Sequence, residues 1–496
     1  MKKFLFLSVL FASLLLVFSA CKKEEPKTVN PVSQFVYDGL STYYLWADEM
    51  ESKKPTAGDV DPKTYFKSVL NATDTENGWS FITDDVESLL AGFSGEPVDF
   101  GFSLAFAYAN EAKTEYVAII KYVFPNSPAS NAGLQRKDMI GKINGQPVTE
   151  SNYGILYGSA AANFTTYKNS GSGLVADKTI TLTPAAIQTD PVLYTNIYNI
   201  GGKKIAYLFY TDFIRNYNQS LYDAFTAFKQ AGVTDLVLDL RYNHGGSVVS
   251  AIYLSSLIAP ETKVRNKSPF IVMNYNSYLN GIFDKNKWSR TDSLGVYEKP
   301  DPDPVAANLN LNKVYIIATS DSYSASELTT FCLKPYMQVV HIGGNTGGKY
   351  TASWTLHPYK EEINKYPVVN IYSEASLKAD EKDKLKNWAM QPIVAKYTNY
   401  KNEDFSNPGY LVPSYALAEG NGYVSNWTQI GDTKDAFLGQ AIYLITGDES
   451  YKPKQNIPVS RIKASESASV RLSNPNDAAK EAVILDYNRL PKNMLK

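Results

Sequence analysis

The sequence predicts an α/β protein, because strand-like and helix-like patterns alternate from about residue 187 onwards. Short runs of almost wholly apolar residues indicate strands that are buried on both faces of a sheet. Between these runs, apolar residues recur with helical spacing, as at Leu328, Phe331 and Cys332. The polar, Pro-rich segment 284–305 is predicted to be a loop or an insertion. The predicted strands are 204–210, 236–240, 314–318 and 338–342, and the predicted helices are 220–230, 247–258, 434–446 and one that begins after Ser324.

Composition limits the class of protein but does not choose a function. The chain has 496 residues, of which 44% are hydrophobic and 20% are charged, enough for two or three domains and a large core. The formal net charge is −1 and no basic tract stands out, so nothing favours nucleic acid as a partner. The 36 tyrosines fit either aromatic-rich strands or an exposed recognition surface.

The N-terminus has the pattern of a secretory signal peptide. Lys2 and Lys3 precede an apolar stretch over 4–18, and small residues lead to Cys21. The alternative is an uncleaved membrane anchor, but the stretch is shorter than the roughly 20 residues that span a bilayer, which favours cleavage. The segment 18–21 resembles a bacterial lipobox. This resemblance implies a lipid on Cys21 and an exported protein tethered to the outer membrane, on its periplasmic side or at the cell surface.

Changes of pattern and composition divide the chain into six segments. The second half of the chain holds the α/β pattern, and a β-rich domain precedes it. An N-terminal module is predicted to be mainly helical, with helices over 35–50 and 65–70, and it carries no recognisable chemical motif. The segments are a signal peptide at 1–21, a flexible tether at 22–33, the helical module at 34–94, the β-rich domain at 95–186, the α/β core at 187–447 and a C-terminal extension at 448–496.

The β-rich domain carries a readable signature. An apolar strand is predicted over 116–123, and Asn144-Gly145 marks a tight hairpin turn. A PDZ domain has a pattern similar to Ser127-Pro128-Ala129, Ala132-Gly133-Leu134 and Ile143-Asn144-Gly145-Gln146-Pro147-Val148. The resemblance implies β-augmentation, in which a strand pairs with a peptide whose terminal carboxylate is held by backbone N–H groups. The loop implied to hold that carboxylate is Gly101, Phe102, Ser103 and Leu104. The alternative is a PDZ-like module that serves only as a lid or a spacer.

Ser324 lies where a predicted strand becomes a helix. A hydroxyl at this point is close to the free backbone N–H groups of a helix N-terminus, which can stabilise a developing oxyanion. Ser324 and Glu327 also form the S-x-x-E pattern of a capping box, and most such serines only cap a helix. The local pattern therefore leaves open both a helix cap and a catalytic nucleophile.

Lys349 is the candidate base. It follows the glycine-rich stretch 343–348, which would bring it to the mouth of the sheet near Ser324. At its ordinary pKa of about 10.4 a lysine cannot act as a base at neutral pH. Burial in an apolar pocket lowers that pKa, because burial disfavours the charged form. The alternative is a solvated surface lysine.

Other catalytic and metal-binding arrangements find less support. His341 lies inside a predicted strand, which indicates a packed core imidazole, whereas His244 lies in a turn and could approach a site. Cys332 falls on the apolar face of its helix, which indicates a small buried side chain. Three widely spaced histidines and one such cysteine favour no zinc site. We expect no metal, no cofactor, no phosphate loop and no dinucleotide-binding fingerprint.

Three motifs in a fixed order resemble those of the tail-specific, C-terminal-processing serine proteases. They follow the PDZ-like pattern, and the resemblance covers about residues 95–400. Lys349 follows Ser324 by 25 residues (349 − 324), which is the spacing of the family's catalytic dyad. The motifs are Asp239-Leu240-Arg241-Tyr242-Asn243-His244-Gly245-Gly246, Ser324-Ala325-Ser326-Glu327 and Gly347-Gly348-Lys349.

The resemblance implies both a fold and a set of roles. The fold is a ClpP/crotonase-like α/β protease core with a preceding or inserted PDZ domain and the small helical module. Ser324 is implied to be the nucleophile and Lys349 the general base. The oxyanion hole is implied to come from the backbone N–H of Ala325 and of either Gly245 or Gly246, which agrees with the position of Ser324 at a helix start.

The sequence departs from the family pattern around the lysine. Ser353 stands where the family commonly has a glutamine, four residues after Lys349, and Gly347 and Tyr350 replace the usual phenylalanine and glycine. Ser353 is a candidate to support Lys349 through a hydrogen bond. The departures leave open a slow or zymogen-like enzyme that depends on a substrate-driven rearrangement.

The sequence thus predicts an exported, lipid-anchored serine endopeptidase that cleaves proteins or peptides recognised through their free C-terminal tails. One alternative is a binding lipoprotein of the same fold with a weak or inactive site, which the departures around Lys349 favour. A second is a surface lipoprotein that captures glycans through Tyr and Trp side chains. The second would explain the tyrosine content but not the three ordered motifs.

Overall fold

The structure is a computed structural model that describes residues 28–169, 174–359, 369–422 and 424–454. Within these ranges the chain forms a helical N-terminal module, a β-rich middle domain and an α/β core. The predicted signal peptide, Cys21, part of the predicted tether and nearly all of the C-terminal extension lie outside the described residues. Of the helices in the described ranges, none combines the length and apolar character needed to cross a bilayer.

The N-terminal module is mainly helical, as predicted. Its first helix begins at Pro31, so the end of the predicted tether belongs to the helix. Pro31 fits the first helical position, and the Asn30 side chain accepts a hydrogen bond from Val32 N at 2.9 Å, which fixes this start. The elements of the module are α1 (Pro31–Tyr43), a 3₁₀ turn (Ala47–Met50), α2 (Pro62–Val69), α3 (Ala72–Asn77), β1 (Phe81–Thr83) and α4 (Val86–Ser94).

The middle domain is an antiparallel sheet with a core of its own. The predicted strand over 116–123 and the hairpin turn are confirmed. Asn144 and Gly145 both have positive φ, 50° and 81°, as a two-residue turn between paired strands requires. The elements are β2 (Val98–Asp99), β3 (Phe102–Tyr108), β4 (Tyr116–Val123), α5 (Pro128–Asn131), β5 (Met139–Ile143), β6 (Gln146–Pro147), a 3₁₀ turn (Tyr153–Tyr157), β7 (Ala162–Asn169), β8 (Leu174–Leu182) and β9 (Ala185–Ala186). The sheet has the order β3-β4-β5-β7-β8, with β6 paired to β5, and β2 and β9 form a separate pair.

The α/β core confirms the predicted alternation of strands and helices. The segment 284–305, predicted to be a loop, is partly regular, because it contains β14 and the ends of two helices. The elements are β10 (Val192–Ile200), β11 (Lys203–Tyr210), α6 (Asn218–Ala231), β12 (Asp235–Asp239), α7 (Val248–Ile258), α8 (Glu261–Arg265), β13 (Pro269–Tyr275), α9 (Ser277–Asn286), β14 (Thr291–Ser293), α10 (Pro304–Ala307), β15 (Lys313–Ala318), α11 (Ala325–Cys332), β16 (Gln338–Gly343), β17 (Thr351–Ser353), β18 (Leu356–His357), β19 (Val369–Asn370), α12 (Ala379–Leu385), β20 (Ala389–Gln391), β21 (Ile393–Asn399), β22 (Tyr415–Ala416) and α13 (Ala436–Thr446).

The main sheet has the strand order β10-β11-β12-β15-β16-β22, with all neighbours parallel except β10 and β11. Alternate residues of each strand point to opposite faces. On β11, Ala206 and Leu208 join the core beneath α6, α7 and α11, whereas Ile205 and Tyr207 pack against α13. Both faces are therefore covered, which explains the continuous apolar runs in the sequence.

Two smaller sheets complete the core. The order β14-β13-β21-β17 is antiparallel throughout. In the other, β1 of the N-terminal module pairs with β20, next to β18 and β19. The module thus shares a sheet with the α/β core.

Candidate active site

The candidate site lies at the carboxyl ends of three neighbouring parallel strands. The loop after β12 carries Gly245 and Gly246, the turn after β15 carries Ser324, and the loop after β16 carries Lys349. Carboxyl ends of parallel strands meet at one edge of a sheet, which is where open α/β sheets place their sites. The structure therefore brings together the three motifs that lie far apart in the sequence.

The backbone of Ser324 is strained. Its φ is 60° and its ψ is −111°, a conformation that residues other than glycine rarely adopt. Ser324 immediately precedes α11 and is fully buried. Its hydroxyl makes no helix-capping bond and has no hydrogen-bond partner among the described residues. The geometry is that of the capping box predicted from the sequence, with Glu327 accepting a hydrogen bond from Ser324 N at 2.8 Å, but the Ser324 hydroxyl itself is left without a close partner in the described part of the chain.

Several hydrogen bonds join the turn that holds Ser324 to the loop after β12. Ser322 Oγ donates to Leu240 O at 2.7 Å, and Tyr323 N donates to Asn243 O at 3.1 Å. Ser326 Oγ lies 2.9 Å from both Asn243 O and Asn243 Oδ1. These bonds cross between neighbouring strands on both sides of the strained residue, and they provide the surrounding order that a strained backbone needs.

Glu327 joins the two candidate catalytic residues, a role the sequence did not reveal. Its Oε2 accepts hydrogen bonds from Ser324 N and from Lys349 N, each at 2.8 Å. Its Oε1 accepts from Gly348 N at 2.8 Å and from Thr346 Oγ1 at 2.5 Å. Burial raises the pKa of Glu327 to about 6, against the lowering effect of these four donors. The S-x-x-E pattern was the available signal, but it indicated a local cap and not a link to Lys349.

Tyr397, from β21, makes a second link between the same two residues. Its hydroxyl lies 3.3 Å from Ser324 O and 3.2 Å from Lys349 O. The ring is buried, which raises the pKa of its phenol well above the ordinary value.

Lys349 is itself fully buried, so the alternative of a solvated surface lysine is excluded. Burial disfavours the charged ammonium, which is the condition a lysine base requires.

Gly245 packs directly against Ser324. A β-carbon at Gly245 would lie 2.7 Å from Ser324 Cβ and 3.0 Å from Ala325 N, so only glycine fits there. The N–H of Gly245 donates to Asn243 Oδ1 at 2.8 Å. Gly246 bridges to Phe213, and that bridge uses the N–H of Ser247 and the carbonyl of Gly245. In this parallel pattern the N–H of Gly246 points away from Phe213.

Ser353, His341 and His244 make none of the hydrogen bonds that link Ser324 to Lys349. Ser353 is fully buried on β17, and its hydroxyl has no hydrogen-bond partner in the part of the chain that the structure describes. His341 is a buried core imidazole, as predicted; burial lowers its pKa to about 4. His244 is half-buried and packs edge-to-face on Tyr323, with ring centroids 6.2 Å apart.

The remaining predicted residues are placed as follows. Cys332 is fully buried, and burial raises the pKa of its thiol. In the middle domain, only Gly101 lies in a loop, whereas Phe102, Ser103 and Leu104 begin β3; the predicted four-residue loop is wrong in this respect. The N–H of Gly101 donates to Asp99 Oδ1 at 2.6 Å. Within the described ranges, no group of three or more His, Cys, Asp or Glu side chains is arranged to hold a metal ion.

Comparison with known proteins identifies the region that holds this site. Residues 204–383 match the model of peptidase family S41, and residues 32–81 match the Peptidase S41 N-terminal domain. A solved structure assigned to the S41 proteases, from Bacteroides fragilis NCTC 9343, is 26% identical, with a TM-score of 0.64 over 83% of this chain and 97% of that chain.

Two curated relatives are proteases by name. A CtpA-like serine protease of Staphylococcus haemolyticus is 23% identical over 70% of this chain and 62% of its own length. The carboxyl-terminal-processing protease of a Picosynechococcus species is 29% identical over 45% of this chain and 49% of its own length. The chain thus spans about half to three fifths of these relatives. By these matches the region that holds the candidate site, residues 204–383, is similar to peptidase family S41, and residues 32–81 are similar to the Peptidase S41 N-terminal domain.

Proposed function

We propose that this protein is a serine endopeptidase in which Ser324 is the nucleophile and Lys349 the general base. One observation carries the proposal: a single buried carboxylate, Glu327, holds the backbone N–H groups of both residues at 2.8 Å. This clamp fixes the two segments relative to each other at the end of the sheet. The strained backbone of Ser324 and the burial of Lys349 suit the two roles.

The reaction runs through an acyl-enzyme. Ser324 Oγ attacks the scissile carbonyl carbon while its proton passes to Lys349 Nζ, and a tetrahedral oxyanion forms. When this intermediate collapses, the C–N bond breaks and the Lys349 ammonium gives its proton to the leaving amine. Water then attacks the ester and gives a proton to Lys349. The Oγ–C bond breaks to release the carboxylic acid, and the Lys349 ammonium returns its proton to Ser324 Oγ, which restores both residues.

The oxyanion is stabilised by two backbone N–H groups, one at the start of α11 and one in the loop after β12. Ala325 N supplies the first donor, as expected for a residue after the nucleophile at a helix start. Gly246 supplies the second in preference to Gly245, because the N–H of Gly245 is already bonded to Asn243. Preorganised donors of this kind contribute on the order of 10²–10³ in rate each.

Ser324 and Lys349 have no exposed surface in this conformation. A peptide carbonyl must approach Oγ to about 3 Å before it can react. The enzyme therefore has to open towards its substrate, consistent with a zymogen-like state that the substrate itself converts. Ser353, buried on β17, the strand that follows Lys349, remains a candidate support for the lysine in the open form.

The middle domain is proposed to act as a PDZ domain that receives the substrate's free C-terminal tail. In the described sheet, β3 lies at an edge and pairs only with β4, which leaves its other edge available to a peptide strand. Gly101 immediately precedes β3 with φ 88°, and its N–H, which now donates to Asp99 Oδ1, would have to exchange that partner for the carboxylate of the peptide. Export, cleavage of the signal peptide and lipid attachment at Cys21 belong to the same proposal, and they would place the enzyme at the outer membrane, facing the periplasm or the cell surface.

The proposed substrate recognition is tested with matched peptides that differ only in a free or an amidated C-terminus. We expect the wild-type protein to cleave the free-acid peptides with the higher kcat/KM and to leave the amides largely intact. The Ser324→Ala variant should cleave neither. Equal cleavage of both sets would remove the PDZ-guided recognition, and cleavage by Ser324→Ala would remove Ser324 as nucleophile.

A binding protein with an inactive site is the second candidate. The observation that favours it is the uncompensated loss of the glutamine near Lys349: the Ser353 hydroxyl that stands in its place has no partner in the described ranges. This alternative predicts that the free-acid peptides bind but stay uncleaved in the same assay.

A further inference from the structure

A buried carboxylate lies in the N-terminal module, where the sequence carries no chemical motif. Asp74, on α3, has no exposed surface. It accepts hydrogen bonds from Tyr44 Oη at 2.7 Å, from Ser80 N at 2.9 Å and from Ser80 Oγ at 2.5 Å. Buried acids of this kind need partners, and three donors converging on one carboxyl group favour its ionised form. Asp74 is therefore a buried acid whose hydrogen bonds favour its charge, although burial, the larger effect, raises its pKa overall.

The same segment packs against the strand that follows Lys349. Ser80 Oγ, which donates to Asp74, accepts a hydrogen bond from Ile393 N at 2.9 Å, and Ile393 pairs with Ser353 on β17. On the other side, the ring of Trp79 meets the ring of Tyr350 edge-to-face, with centroids 5.4 Å apart. The turn between α3 and β1 thus holds both ends of the short segment 350–353.

We propose that Asp74 is a positioning residue of the dyad: its carboxylate provides the counter-charge for the Lys349 ammonium that forms when Ser324 gives up its proton. The proposal rests on the proposed dyad and adds a residue from the N-terminal domain. The geometric link is the packing of Ser80 and Trp79 against the segment that follows Lys349. Burial raises the pKa of Asp74 overall, while its hydrogen bonds and the positive charge of Lys349 act in the lowering direction. Asp74 does not touch the scissile bond and acts only through the lysine.

The charge has two opposing consequences. A carboxylate near Lys349 favours the ammonium, so the lysine binds a proton more tightly and becomes neutral only at higher pH. The same attraction makes the neutral lysine a stronger base and stabilises the ion pair created in the transition state. Asp74 should thus raise the maximal rate of hydrolysis. It should also shift the acidic limit of the active pH range to higher pH, because Lys349 becomes neutral only at higher pH.

Other charged and titratable groups around this pair are kept constant in the test. Glu327, with a pKa of about 6, contributes to the acidic limb of any pH profile in every variant that retains it. Tyr44 donates to Asp74, and Tyr397 bonds the Lys349 backbone. Glu49 acts electrostatically on Tyr44. None of these four residues is changed in the main comparison.

The test compares kcat/KM against pH for the full-length wild-type protein, Asp74→Asn and Asp38→Asn. Asp38 is the matched control, because it is another acid of the N-terminal module whose carboxylate accepts a tyrosine hydroxyl, from Tyr372 at 2.8 Å. For Asp74→Asn we expect the plateau to fall on the order of tenfold and the acidic limb to move down by about one pH unit. Asp38→Asn should leave the limb where it is. A merely structural defect would lower the plateau without moving the limb.

A limb that stays in place or moves up in Asp74→Asn would overturn the proposal. If Asp74→Asn does not fold, Tyr44→Phe serves instead: it removes one donor, makes the carboxylate harder to ionise, and should shift the limb in the same direction by less. An unchanged limb in Tyr44→Phe would then count against the role of Asp74. Peptide hydrolysis that survives Ser324→Ala would overturn the dyad itself, and with it the need for a counter-charge. If Ser324→Ala abolishes hydrolysis but the acidic limb is unchanged in Asp74→Asn, only the role of Asp74 is overturned.

Discussion

The N-terminal module and the middle domain differ in how they contact the α/β core, one mainly through apolar packing and the other largely through ion pairs. The N-terminal joint is apolar: Phe35 and Trp79 belong to one continuous hydrophobic core with Leu356 and Met390. The approach is so close that a β-carbon at Gly39 would lie 2.1 Å from Met390 Cε. The module also contributes β1 to a sheet of the core. This joint therefore has the character of a domain interior.

The joint of the middle domain combines ion pairs with a smaller apolar contact, in which Val117 and Ile119 pack with Trp427. Arg136 donates to Glu419 Oε1 at 2.7 Å and to Tyr242 Oη at 3.0 Å, and Glu419 also accepts from Arg241 at 2.8 Å. Nearer the site, Lys121 Nζ lies 3.1 Å from Asp321 Oδ2, three residues before Ser324. The side chains of Arg136 and Lys121 are only 3% and 6% exposed, so removing one partner of these pairs costs stability.

The N-terminal module shares a core and a sheet with the α/β core and is therefore expected to be the more firmly fixed wall of the site. The middle domain, joined by a smaller apolar contact, is expected to be the part more able to move.

The largest expected effect tests the fixed wall. Phe35→Ala removes a fully buried ring from the shared core and should lower the free energy of unfolding by about 3–5 kcal/mol. Because the core is continuous, the module and the α/β core should unfold in one transition, followed by denaturant unfolding monitored by fluorescence and circular dichroism. The control Tyr278→Ala, at a side chain that is 59% exposed, should stay within about 0.5 kcal/mol. A separate early transition for the module would contradict a shared core.

The pH dependence of stability tests whether Glu327, which lies in the site between the two joints, is buried in the folded protein. The folded pKa of Glu327 is about 6, above its ordinary value of 4.5, so between these pH values the folded protein binds more protons than the unfolded chain. The free energy of unfolding should therefore fall by about 2 kcal/mol from this group as pH rises from well below 4.5 to well above 6. Activity should change the opposite way, because protonated Glu327 loses acceptor capacity for its four donors.

The control for this prediction is Glu327→Gln, which cannot titrate. Its stability relative to wild type should change by about 2 kcal/mol across the same pH interval, measured by urea unfolding at each pH. A difference between the two proteins that is independent of pH would show that Glu327 is not buried as described.

The third prediction concerns the ion pairs at the joint of the middle domain. Arg136→Met leaves Glu419 with its bond to Arg241, so the loss should be about 1–3 kcal/mol, smaller than at the apolar joint. Amide hydrogen exchange around Tyr242 should accelerate more than exchange around Trp79. The control Arg265→Met breaks an exposed i,i+4 ion pair with Glu261 and should cost less than about 0.5 kcal/mol. Equal acceleration at both places would erase the contrast between the joints.

The smallest expected effect is at Lys121. Its partner Asp321 is 39% exposed on the side chain, so a double-mutant cycle with Lys121→Met and Asp321→Asn should give a coupling below about 1 kcal/mol that weakens with added salt. A coupling of several kcal/mol that is insensitive to salt would contradict this prediction and show that the Lys121–Asp321 pair holds the middle domain firmly.

The sequence predicted the part of the site that is built from local motifs. Ser324, Ala325, Gly245 and Lys349 stand at strand ends that the apolar runs located, and parallel pairing then brings those ends together. Asp74 and Tyr397 were not predictable, because each acts from a different part of the chain and neither lies in a motif. Their role depends on tertiary contacts such as that between Trp79 and Tyr350, for which a single sequence carries no local signal.

The fold was predicted with the same asymmetry. The core strands came from continuous apolar runs, since both faces of that sheet are covered. The regular structure within 284–305 was missed, because β14 is a short strand of partly exposed polar residues, Thr291–Ser293, without alternation to detect. The early start of α1 depends on a side-chain cap at Asn30 and a proline at the first turn, which were assigned to the tether by composition.

The central claim is that Ser324 reacts because Lys349 takes its proton. The most direct measurement is covalent labelling with a serine-reactive phosphonate, located by peptide mass spectrometry, in wild type, Ser324→Ala and Lys349→Ala, with thermal unfolding as the check that all three are folded. We expect one label, on Ser324, in the wild type and essentially none in either folded variant. Labelling of a different serine, or labelling of Ser324 at an undiminished rate in Lys349→Ala, would contradict the dyad.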